Sequence, residues 1–139
     1  RFRRLAGLGR RRSGGRLAPA HCTALGKVLL AHLDPGERRR LLAGGRLERQ
    51  TTRTITSVRR LEVELAGVLA RGYAVDSEEL HEGVMCVGAP VRDHTGEVVA
   101  AISVSLLKAR VTEARLEKIA QEVVRTGARI SRAMGYQSA

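Results

Sequence analysis

The chain has 139 residues, 43% of them hydrophobic, which suffices for one modest core and bounds it to a single domain. Aromatic content is 2% with no Trp, so Leu, Val, Ile and Ala must fill that core, and a base-stacking surface for single-stranded nucleic acid is not expected. The net charge of +11 points first to polyanions, but Arg1, Arg3, Arg4, Arg10, Arg11, Arg12 and Arg16 supply seven of those charges from a Gly-rich opening without an acidic residue, leaving the remainder only mildly basic.

Residues 1–20 read as a solvated, partly disordered arm ending in Leu17-Ala-Pro-Ala20. The first residue is Arg, which suggests a fragment or a processed piece. Cys22 and Cys86 lie far apart in no metal or redox spacing, and a reduced, cytoplasmic setting fits them. No apolar run follows the basic start as a signal peptide requires, and none reaches the roughly 18 residues of a membrane span.

The segment "TALGKVLLAHL" predicts a helix with Leu25, Val28, Leu29 and Leu33 on one face. Asp34-Pro35-Gly36-Glu37 predicts the start of the next, with Asp as cap, Pro at the first position and Glu closing the box. That helix carries Leu41 and Leu42 and stops at Gly44-Gly45. "QTTRTITS" reads as a connecting strand or extended loop. Ser57 then caps a helix with Leu61, Leu65, Val68 and Leu69 inward and Gly72 at its end.

"YAVD" predicts a short strand and "SEELHEG" an acidic loop. Residues 84–92 and 97–106 read as two arms of a hairpin turning at Asp93-His94-Thr95-Gly96. From Thr112, Leu116, Ile119, Ala120, Val123, Val124, Gly127 and Met134 form one apolar stripe on a long C-terminal helix. Sequential strands with tight turns and one-sided helices predict an α+β fold on an antiparallel sheet, whose face away from the long helix is free to form a pocket.

Three constellations bear on chemistry. Two cysteines with His21, His32, His81 and His94 are compatible with a small cysteine-dependent enzyme, though no nucleophile elbow or phosphate loop is present. His21-Cys22 with Cys86 or His81 is a poor metal set, because adjacent residues rarely point at one ion. Ser103 and Ser105 share one face of the second hairpin arm, with Cys86 on its partner and Asp76 on the strand before. Alternation leaves two readings of these serines open, a solvated face or a pocket in which they and the amides near Thr23, Ala24 and Leu25 hold a carboxylate.

"HCTALGKVLLAHL", "GYAVDSEELHEGVMCVGAPVRD" and "GEVVAAISVS", in that order, resemble the IclR family of bacterial transcription regulators from about His21 to Tyr136. The resemblance implies a GAF-like effector-binding domain over residues 21–139, with no catalytic residue, metal or cofactor. It carries over pocket positions Ala24, Leu25, Asp76, Cys86, Ser103 and Ser105, and a small organic or aromatic acid as effector. It further implies a homodimer or homotetramer, and DNA contact only through an N-terminal winged helix-turn-helix that this chain lacks. A basic nucleic-acid-binding fragment working through residues 1–16 is the alternative beside the enzyme. Leu25 is expected to narrow the pocket. Arg92 stands where the family has an aromatic residue or His, and Leu106-Leu107 where it has Gly-Pro.

Overall fold

The computed structural model describes residues 11–13 and 16–138. The element order is β1 (Arg11–Ser13), β2 (Arg16–Ala18), α1 (Ala24–Ala31), α2 (Pro35–Ala43), α3 (Val58–Arg71), β3 (Ala74–Ser77), β4 (Val84–Arg92), β5 (Val98–Leu107), a 3₁₀ turn (Lys108–Arg110) and α4 (Glu113–Ala133). β3, β4 and β5 form one antiparallel sheet in that order, and β1 and β2 pair separately, from Arg11 opposite Ala18 to Ser13 opposite Arg16. The fold is α+β with a long C-terminal helix, as the sequence predicts. The expectation of a disordered arm lies, for residues 1–10, outside the described residues. The pairing of β1 with β2 falls where composition predicts only a solvated arm.

Local signals set the helix starts. Thr23 accepts from Gly26 N at 3.1 Å, Asp34 accepts from Gly36 N and Glu37 N at 3.0 and 3.1 Å, and Thr112 accepts from Arg115 N at 3.2 Å. Each hydroxyl or carboxylate satisfies amides that have no acceptor within their own helix. Ser57 does the same for α3 through Arg60 N, and Gly72 closes that helix in the left-handed region at φ 85°. Residues 50–57 form turns and an extended segment rather than a strand.

The core has two parts, one on each side of the sheet. On one side Val28, Leu30 and Ala31 of α1 pack with Leu42 of α2, Leu61, Leu65 and Val68 of α3, and Ala74 of β3. On the other, Val87 and Ala89 of β4 pack with Ala120 and Val123 of α4. α1 is buried on nearly every side, because it lies between α3 and the sheet. Two apolar residues depart from expectation. Leu69 is 50% exposed near the end of α3, and Met134 is the cap residue beyond α4 and 45% exposed. Periodicity holds only where a partner element covers the stripe, and among the described residues these two at helix ends are only half covered.

The entry into α1 depends on one glycine. A Cβ on Gly26 would lie 2.3 Å from Ala20 O and 2.4 Å from Ala20 Cα, so the segment before the helix rests directly on the helix backbone. Intrinsic propensity favours Gly→Ala in a helix by about 1 kcal/mol. Gly26→Ala is nevertheless expected to destabilise by about 1–3 kcal/mol, since backbone must move to admit the methyl. Urea unfolding checks the sign, and a stabilised variant would show that this close approach is not a constraint.

Candidate functional site

The sheet register builds the site in two rows. Asp76 pairs with Cys86, and Cys86 with Ser105, so three polar side chains stand in line across β3, β4 and β5. Cys86 Sγ and Ser105 Oγ are 3.2 Å apart. In the next row Ala74 pairs with Gly88 and Gly88 with Ser103. A Cβ on Gly88 would come within 3.1–3.2 Å of Ala24, so this row of small residues seats the first turn of α1 on the sheet.

Between α1 and the sheet lies a cavity of about 370 Å³. All six residues singled out in the sequence line it: Ala24 and Leu25 from the start of α1, Asp76 from β3, Cys86 from β4, and Ser103 and Ser105 from β5. Leu29, Leu80 and Val99 add apolar wall. Ser103 and Ser105 are exposed, Leu25 and Cys86 half-buried, and Ala24 and Asp76 buried, so the cavity grades from an open polar side to a closed one. Thr23 occupies the Gly26 amide, and Lys27 N bonds to Thr23 O. By helix geometry the amides of Ala24 and Leu25 have no acceptor in their own helix, and the positive end of its dipole faces the cavity.

Behind the cavity, Lys27 is 1% exposed. Its ammonium donates to Val75 O, to Glu79 Oε2 at 2.8 Å and to Glu64 Oε1 at 3.2 Å. Thr51 donates to Glu78 O and Thr54 to Glu79 O, each at 2.6 Å, which ties the loop after β3 to the segment before α3. Asp76 in turn accepts from Glu79 N at 2.7 Å. The sequence reading missed Lys27, although a lysine inside an otherwise apolar helical run is its signal. It also missed Gly88, whose role depends on a contact 64 positions away along the chain.

Titration separates these groups. Burial, reinforced by the neighbouring Glu79 carboxylate, pushes Asp76 up from 3.8 to about 6 against the opposing pull of Lys27. Burial pushes the Cys22 thiol to about 12 and raises Cys86 as well. Neither thiol is therefore activated, since a nucleophilic cysteine needs a depressed value. Two imidazoles are engaged by backbone: His21 Nε2 donates to Glu48 O and His32 Nδ1 to Val28 O, each at 2.8 Å. Among the described residues no three His, Cys, Asp or Glu side chains converge as a metal set, and no helix is long and apolar enough to cross a membrane.

A cavity between a helix N-terminus and an antiparallel sheet defines a small-ligand-binding domain of α+β build. The family model of the bacterial transcriptional regulator IclR C-terminal domain matches residues 8–132, and the chain belongs to that family. It is 43% identical over 122 residues to the HTH-type transcriptional regulator XynR of Escherichia coli, covering 88% of this chain and 48% of that protein. The crystal structure of the C-terminal domain of the E. coli regulator KdgR superposes with a TM-score of 0.82 at 43% identity, over 88% of this chain and 74% of that one. The inducer-binding domain of PobR from Acinetobacter, a double mutant solved with 3-hydroxybenzoic acid, superposes at 0.76 with 30% identity, over 83% and 66%. The chain spans about half the length of the curated relatives it matches. These relatives are transcriptional regulators with a C-terminal domain of this fold, and the cavity is placed in that domain.

The position of Asp76 generates a pH prediction. The folded protein holds this proton more tightly than the unfolded chain, so ionised Asp76 costs stability above pH 6 and nothing below its ordinary value of 3.8. Asp76→Asn is expected to melt higher than the parent at pH 7.5, with the difference shrinking as pH falls through 6 towards 4. Melting curves across that range check it, and a difference that grows on acidification would contradict the assignment.

Proposed function

We propose that residues 21–139 are the sensing unit of an IclR-type regulator and that the cavity under α1 takes a small organic or aromatic acid. The observation that carries this reading is the convergence of the Ser103 and Ser105 hydroxyls and the first amides of α1 on one cavity. Its volume falls in the range of small-molecule sites, about 300–1,000 Å³. Hydroxyls and helix-terminal amides are donors, and a carboxylate accepts from both. The ligand seen in PobR, a hydroxybenzoic acid, supports this chemistry.

Asp76 and Cys86 form the wall beside the acid. A carboxylate next to Asp76 favours the neutral form of that residue, so affinity falls as pH rises through 6. The raised thiols support a binding role rather than catalysis, and no enzymatic step is assigned. In the whole protein, a cytoplasmic homodimer or homotetramer, effector binding shifts the balance between states that differ in affinity for DNA. Only a ligand with unequal affinity for those states achieves this. DNA is read by the winged helix-turn-helix elsewhere in such a protein.

Thermal shift against short aliphatic acids and 3-hydroxybenzoate tests the reading. A ligand at about 100 times its Kd adds about 2.7 kcal/mol and raises Tm by on the order of 5–10 °C. The double variant Ser103→Ala, Ser105→Ala is expected to weaken the best acid at least about tenfold, as the loss of two charge-assisted hydrogen bonds requires. Full affinity in that variant would sink the proposed roles of the serines.

A further inference from the structure

Positive charge is not spread over the folded chain. Between residues 35 and 60 there are eight arginines, no lysine, and only Glu37 and Glu48 to offset them. In residues 17–34 and 61–139 taken together, twelve acidic side chains outnumber ten basic ones. Beyond the opening segment, the whole basic excess therefore belongs to α2, the loop after it and the first turn of α3. Arg38 is paired with Glu62 and Arg53 with Glu78. Arg39, Arg40, Arg46, Arg49, Arg59 and Arg60 are all exposed, and none has a carboxylate in salt-bridge reach among the described residues.

Two of them, Arg46 and Arg49, line one surface feature, and the other four belong to the helices whose ends meet there. An open depression of about 680 Å³ lies between the end of α2 and the start of α3, with Arg46, Arg49 and Thr56 in its wall. The Arg49 guanidinium is held there by Thr51 O, Thr52 O and Thr56 Oγ1 at 3.1–3.4 Å. Val58, the first residue of the 14-residue α3, also lines it, so the positive end of that helix dipole adds to the guanidinium charge. The carbonyl end of α2 borders the same depression and is countered by Arg40 in its last turn.

The chemistry of this face selects among polyanions. It contains no aromatic residue, and Val58 is its sole exposed large hydrophobic side chain among the described residues. An acidic protein partner needs buried aromatic or aliphatic anchors to bind stably, and single-stranded nucleic acid needs rings on which to stack. Duplex phosphate needs neither, and guanidinium matches it in bidentate geometry. We propose that the α2–α3 face docks on the phosphate backbone of double-stranded DNA without reading its sequence. The site is separate from the effector cavity, and relatives of the chain are HTH-type transcriptional regulators.

The test uses the full 139-residue chain with its basic opening segment intact in every variant. Fluorescence anisotropy follows a short labelled duplex of arbitrary sequence from about 50 to 200 mM salt. The quadruple variant Arg39→Gln, Arg40→Gln, Arg59→Gln, Arg60→Gln is expected to lose at least about tenfold in affinity and to flatten the log–log salt slope by about 3. A control of equal charge loss on α4, Arg115→Gln, Arg125→Gln, Arg129→Gln, Arg132→Gln, is expected to change the slope by less than about 1. Melting curves establish that both variants are folded. Equal losses in the two variants would assign binding to net charge, and an unchanged patch variant would assign it to the opening segment. Absence of duplex binding by the parent at low salt, or a patch effect seen with polyaspartate and not with duplex, would likewise overturn the proposal.

Discussion

The Lys27 ammonium, buried within α1, joins the parts of this domain that surround the cavity. It reaches Val75 O on β3, Glu79 in the loop that follows and Glu64 on α3. The second oxygen of Glu79 is buried without a hydrogen-bond partner among the described residues, so that carboxylate leans on Lys27. Removing one member of such a pair costs about 3–5 kcal/mol, because the other charge stays buried. A domain of this kind is stable by only about 5–15 kcal/mol in all. The interaction therefore weighs more in fixing geometry than any single apolar contact around it.

The cavity follows from that constraint. With the loop after β3 held by Lys27, Thr51 and Thr54, Asp76 receives the Glu79 amide and Leu80 is set into the wall. The absent side chain at Gly88 then allows Ala24 to settle over the sheet, so that the open end of α1 faces the two serines. On the proposed reading, a ligand entering here would meet donors already in position, with little ordering cost left to oppose binding. The same burial that shapes the wall keeps both cysteines protonated, which fits a receptor better than a catalyst.

Much of this was legible in the sequence, and the reason differs between features. The caps at Asp34 and Ser57 act over two or three residues, so local sequence shows them. The arms of the β4–β5 hairpin follow from alternation and a Gly turn, whereas β1 and β2 do not. Ser103 and Ser105 were ambiguous by alternation alone, because a pocket floor and a solvated face have the same period. The family resemblance selected six of the residues that line the cavity. Lys27 is conspicuous as a lysine in an apolar run, but its partners are 37 and 52 positions away, so its role is not legible locally. The clustering of charge was missed for a different reason. Taking everything after the opening segment as mildly basic averaged an arginine-rich stretch with an acidic remainder, and only the fold shows that stretch bordering one depression.

Amide chemical-shift mapping by NMR, with 3-hydroxybenzoate titrated into the isotopically labelled chain, addresses the cavity most directly. The amides of Ala24, Leu25, Cys86, Ser103 and Ser105 are predicted to shift together and saturably, while those of α2 and the exposed face of α4 stay in place. Shifts centred on the depression between α2 and α3, with the cavity residues unmoved, would contradict the placement of the effector under α1.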